Sequence, residues 1–155
     1  MPSQLTRRHI LLTLPAAAAA LSLPSLASAA TPKIYTEDGI AVDGSDVVAY
    51  FTDNKPVMGR KDITHDWMGA TWRFASEANR AAFAADPAAY APQFGGYCAY
   101  AVANGATAPT VPEAWRIVDG KLYLNFSKGV QKRWLEDVPG NIAKANANWP
   151  AVLDR

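Results

Sequence analysis

Between Ile63 and Phe74 polar and apolar positions alternate. Ile63, His65 and Trp67 fall on one side, and Thr71-Trp72-Arg73-Phe74 has the composition of a strand, with Met68-Gly69-Ala70 between the two. That pattern predicts a β-hairpin over residues 63–76. The period then becomes helical. Ala78, Ala82 and Phe83 recur on one side of a segment from Glu77 to Ala85. Ser76 precedes it as an N-cap, and Glu77 suits the positive end of the helix dipole. Asp86-Pro87 ends this helix and opens a short helical turn through Tyr90, with proline at its first position. The succession recurs downstream. Trp115-Arg116-Ile117-Val118 and Lys121-Leu122-Tyr123-Leu124-Asn125 flank Asp119-Gly120, a strong hairpin signal. Ser127 again precedes a helix, with Val130, Trp134 and Leu135 on its apolar face. Pro139-Gly140 reads as an interruption, and Asn141 to Asn148 as a last helix.

The remaining segments are less regular. Thr31 to Asp38 reads as an extended lead-in. Asp43-Gly44-Ser45-Asp46 is a turn before the apolar run Val47 to Phe51, and Asp46 is placed to cap a short helical turn. Asp53-Asn54-Lys55-Pro56 is a second turn. After Gly95-Gly96-Tyr97-Cys98-Ala99-Tyr100 come the small residues Ala101 and Ala103, a turn at Asn104-Gly105 and a loop over residues 106–112. Two blocks superpose: Gly69, Trp72, Ser76 and Phe83 share their spacing with Gly120, Tyr123, Ser127 and Trp134. The expected fold is therefore α+β. It is one small domain of β-hairpin–helix units, in two related copies, around the Gly-Gly-Tyr-Cys turn.

Residues 1–29 have the pattern of a targeting segment rather than of the fold. The pair Arg7-Arg8 precedes an alanine-rich apolar stretch from Ile10 to Leu26, which contains Pro15 and Pro24 and closes in Ala27-Ser28-Ala29. The small residues Ala27 and Ala29 mark a cleavage site, and the arginine pair marks a twin-arginine signal, which implies a periplasmic protein. The prolines and the closing small-residue site argue against a retained membrane span. The domain is expected over residues 31–155.

The whole chain holds 15 basic and 14 acidic residues. Arg7 and Arg8 are the only charged groups of the targeting segment apart from the amino terminus, so the remainder is close to neutral. Such a balance has no electrostatic footprint for nucleic acid. The only cysteine is Cys98, so no disulfide can form within one chain. Cys98 is thus a small buried hydrophobe, a reactive thiol, a metal ligand or half of a bond to another molecule. Beyond the targeting segment His65 is the only histidine. No C-x-x-C or H-x-x-x-H spacing is present, as zinc sites typically have. His65, Cys98, a carboxylate such as Asp66, and Met58 or Met68 form the set of soft and borderline donors, which suits copper better than magnesium or calcium. No hydrolase, phosphate-loop or dinucleotide motif is found.

The run His65-Asp66-Trp67-Met68-Gly69-Ala70-Thr71-Trp72-Arg73-Phe74-Ala75-Ser76, continuing through Phe83, Asp86-Pro87 and Tyr90, resembles the YHS domain, related to the TRASH metal-binding modules. With Gly44 to Phe51, Gly95 to Tyr100 and Asp119 to Asn125 added, the chain is similar to secreted bacterial YHS-domain proteins over nearly all of residues 31–155. The resemblance implies a compact α+β domain connected with metal or copper handling. His65 and Ser76 fall on the family's histidine and serine, and Trp72 replaces a tyrosine. Metal-binding members carry cysteines where this chain has Ala75 and Asn79. Some secreted members are described as selenoproteins, and Cys98 is the one position here where selenium would sit.

Three functions follow as expectations. The first is binding or handling of a soft metal, copper or zinc, through His65 and Cys98. The second is thiol redox chemistry with Cys98 as the catalytic residue, its pKa lowered by His65 across a shared pocket. The third is a structural or partner-binding module without catalysis, its partner another periplasmic protein.

Overall fold

The structure is a computed structural model and describes residues 29–155. Arg7, Arg8 and Ala27 lie outside the described residues, and Ala29 is exposed. Strands β1 (Thr36–Glu37), β2 (Ile40–Ala41), β3 (Arg60–Trp67) and β4 (Ala70–Phe74) form one sheet in the order β1-β2-β4-β3. Strands β5 (Trp115–Val118) and β6 (Lys121–Leu124) form a separate hairpin. The helices are α1 (Ala49–Thr52), α2 (Glu77–Ala85), α3 (Pro87–Tyr90), α4 (Ala99–Ala103), α5 (Lys128–Leu135) and α6 (Val138–Asn148). Both predicted hairpins, both serine caps and the α+β class are present. None of these helices is long and apolar enough to cross a membrane.

The two copies match in side-chain geometry as well as in spacing. Ser76 Oγ accepts from Asn79 N, and Ser127 Oγ from Val130 N, both at 3.1 Å. Trp72 lies on Phe83 with ring centroids 5.0 Å apart and planes at 34°. Tyr123 lies on Trp134 at 5.4 Å and the same 34°. The reason is common to both units. A two-residue turn fixes the strand register, so the residue three past the turn glycine always points inward. The capped helix then returns its second turn over that residue. All four side chains are buried.

A third, shorter unit precedes these two, where the sequence pattern predicts only an extended lead-in. Asp38-Gly39 joins β1 to β2 in a hairpin with Thr36 opposite Ala41. Asp38, Met68 and Asp119 have φ of 50°, 51° and 50°, and Gly39, Gly69 and Gly120 have φ of 78°, 78° and 74°. These are three turns of one left-handed type, which suits the twist of the strands they join. Asp46 stands as far beyond Gly39 as Ser76 does beyond Gly69. Its Oδ1 accepts from Val48 N at 3.0 Å and Ala49 N at 3.3 Å, so it caps the α1 turn as Ser76 caps α2. The strands of the first unit have only two residues each and leave no alternation to read.

One segment goes beyond the sequence pattern, and one further expectation needs correction. The alanine-rich run after Cys98 is a helix, α4, packed on α6, with Asn148 Nδ2 donating to Val102 O at 2.8 Å. Tertiary packing supports a helix too short to stand alone. Pro139-Gly140 does not interrupt a helix but begins one. Asp137 Oδ1 accepts from Gly140 N at 3.0 Å, and the proline sits in the first turn, where its missing N–H has no cost.

Candidate functional site

The glycine pair before Cys98 serves close packing. A Cβ on Gly95 would stand 1.8 Å from the backbone oxygen of Lys33, and Gly95 itself has φ of 62°. Only glycine fits such an approach at that backbone angle. In return Tyr35 N donates to Gly95 O at 2.8 Å, and Tyr97 Oη donates to Pro32 O at 2.8 Å. The segment 32–35 is thereby fastened across the turn.

Cys98 is 1 % exposed. Its Sγ donates to Asn125 Oδ1 at 3.6 Å, and the same oxygen accepts from Tyr100 N at 3.2 Å. Cys98 N donates to Ala108 O at 3.0 Å, so the loop after α4 closes over the thiol. Asn125 is fully buried just past β6, and its backbone joins this loop through Asn125 N to Ala114 O at 2.8 Å. The thiol is therefore part of a buried polar junction between three segments rather than a group presented to solvent. Asn125 belongs to a hairpin strand pattern, and nothing in that pattern separates it from a solvated strand end.

His65 lies elsewhere, in β3 opposite Trp72, with its ring edge-on to Phe83 at 5.9 Å. Asp66 accepts from Thr71 Oγ1 at 2.8 Å on the exposed side of the hairpin. No described cavity is lined by both His65 and Cys98. Among the described residues no three His, Cys, Asp or Glu side chains are grouped closely enough to hold a metal ion. The shared pocket expected for His65 and Cys98 is thus not among the described cavities.

The positions where the YHS resemblance places cysteine ligands have another occupation. Ala75 N and Asn79 Nδ2 both donate to Asp46 Oδ2 at 2.8 Å. With Val48 N and Ala49 N on the other oxygen, this fully buried carboxylate collects four donors from three segments. A buried carboxylate is sustained only by such saturation. The residues present do not fit a thiolate metal centre: positions 75 and 79 offer a methyl group and an amide already engaged with Asp46.

The opening with the character of a binding site lies on another face. A cleft of about 320 Å³ has Trp67, Met68, Trp149 and Pro150 among its lining residues. Ile34, Ala91, Pro92 and Gly95 also line it, and Lys33 is the only ionisable residue among those lining it. The size is at the small end of the range for ligand pockets, and the lining is apolar, as in most of them. Both indoles are braced from behind. Trp67 packs on Trp72 and Phe83, each at 5.8 Å, and Trp149 on Phe94 at 6.0 Å and Tyr97 at 6.4 Å. Sequence reasoning passed over this site because its walls come from β3, the segment 91–95 and the end of α6, which share no motif.

In comparisons with known proteins the chain matches no family model, no curated protein and no solved structure.

Proposed function

We propose that this chain is a YHS-type module that binds a small apolar ligand in the Trp67–Trp149 cleft, without catalysis. Export through the Arg7-Arg8 signal, with cleavage after Ala29, would place it in the periplasm. The observation that carries the reading is the pair of braced indoles lining one apolar cleft. Rigid aromatic walls lose little conformational freedom when a ligand enters, so the apolar area they offer is converted efficiently into affinity. The metal and thiol-redox readings have less support, since Asp46 engages Asn79 and the Ala75 amide, and Cys98 is bonded under a closed loop.

Titration of the isotope-labelled protein with 2-naphthalenemethanol, a neutral apolar probe, tests the reading. The expected result is a saturable shift of the Trp67 and Trp149 indole N–H signals, with those of Trp115 and Trp134 unmoved. No saturation into the millimolar range rejects the reading for a neutral apolar ligand, and equal shifts at all indoles reject the cleft as the place of binding.

A further inference from the structure

Met68 departs from the pattern of its own turn. Its φ of 51° is the left-handed region, which Asn, Asp and Gly tolerate and other side chains rarely adopt. The two equivalent turns place Asp38 and Asp119 at this position. Methionine is therefore the least suitable of the three for the backbone, and it is far from fully buried, since 49 % of it is exposed. An apolar side chain held in a disfavoured conformation and half open to water at the edge of a cleft is a reason to look for a ligand contact. It lies on the lip of the cleft beside Trp67. There its flexible thioether can close on an aromatic ring in a way the braced indoles cannot.

The charge of the lining gives the ligand's sign. Lys33 is exposed, and neither of the ion pairs among the described residues involves it. No carboxylate lines the cleft to balance it. The cleft thus has a largely apolar lining, with one cationic residue and no acidic one.

We propose that Met68 is a ligand-contacting residue kept in its turn against local preference, and that the ligand is an aromatic monocarboxylate whose carboxylate meets Lys33. This rests on the cleft reading above and adds the ligand's class and the role of Met68. No covalent step is involved.

The test compares 2-naphthoate with 2-naphthalenemethanol on the full domain, residues 31–155, in wild type, Lys33→Gln and Met68→Asn. Wild type should bind the carboxylate more tightly than the alcohol, and added salt should weaken only the carboxylate. Lys33→Gln should remove that preference, a change of about threefold or more. Met68→Asn introduces an Asn-Gly turn. It should raise Tm by a few degrees while weakening 2-naphthoate about three- to tenfold. A purely structural methionine would not move stability and affinity in opposite directions. Unchanged affinity in Met68→Asn, or a lowered Tm, overturns the role of Met68. Equal binding of alcohol and carboxylate overturns the ligand class and leaves the cleft standing. Failure of both probes removes the cleft and this inference together.

Discussion

Asn79 Nδ2 donates to Asp46 Oδ2 at 2.8 Å, joining residues 33 positions apart in the sequence. Through this bond and its neighbour from Ala75 N, the cap of the first hairpin unit is tied to the start of the second unit's helix. Two local devices, an Asx cap and a serine cap, become one tertiary junction.

Asp46→Ala should therefore destabilise the domain by about 3 kcal/mol or more, because several buried N–H groups lose their acceptor together. Asp46→Asn should be nearly as damaging. One carboxylate oxygen becomes an NH₂ that faces other donors. Asn79→Ala should cost less, about 1.5–3 kcal/mol, the range for a bond to a charged group. Urea denaturation of the three variants checks the order. An Asp46→Asn variant as stable as wild type would show that the carboxylate charge is irrelevant.

Met68→Asn should stabilise the domain by about 1 kcal/mol, the strain of a non-glycine, non-Asx residue in the left-handed region. Asp119→Met should lose a similar amount, since it imposes the same conflict on the equivalent turn. Thermal melts of both variants measure the pair. Changes of the same sign would mean that the two turns are not equivalent.

The Cys98 thiol should resist alkylation in the native state and react at the rate of local or global opening. Cys98→Ser should keep the fold, as the hydroxyl can also donate to Asn125 Oδ1. Iodoacetamide modification followed by mass spectrometry, with and without urea, decides the matter. Rapid, stoichiometric labelling of the native protein would return Cys98 to the list of reactive thiols.

Tyr35 and Tyr50 should make the domain sensitive to alkali. Burial raises the Tyr35 phenol above its ordinary range, and the hydrogen bond to Asp43 at 2.9 Å adds to it. Burial likewise raises Tyr50, whose Oη donates to Pro112 O at 2.9 Å. A folded-state pKa above the unfolded one stabilises fully below the unfolded value, about 10, and is lost as pH climbs through the folded value. Stability should hold up to about pH 10 and fall beyond it. Tyr35→Phe should fall less steeply there. Urea midpoints measured between neutral pH and strong alkali give the slopes, and identical slopes would refute the assignment to Tyr35.

Much of the chain's organisation is local and could be read from the sequence. The Asp119-Gly120 and Met68-Gly69 turns, the Ser76 and Ser127 caps and the apolar faces that end in Phe83 and Trp134 depend on neighbours within a few residues. Alternation, turn chemistry and helical period therefore revealed them. The duplicated spacing corresponds to the matched ring pairs of the structure, because register and capping together fix where the third residue and the second helical turn must meet.

What tertiary structure alone decided concerns groups whose partners are distant. Cys98 has the same local sequence whether it is reactive or buried, and it is buried because the loop through Ala108 and the amide of Asn125 come over it. Ala75 and Asn79 read as empty ligand positions until Asp46, distant in the chain, is seen to occupy them. Trp67 and Trp149 look like two more core aromatics. They line one cleft only because the β3–β4 hairpin and the end of α6 meet there, an arrangement set by packing across the whole domain rather than by any run of residues.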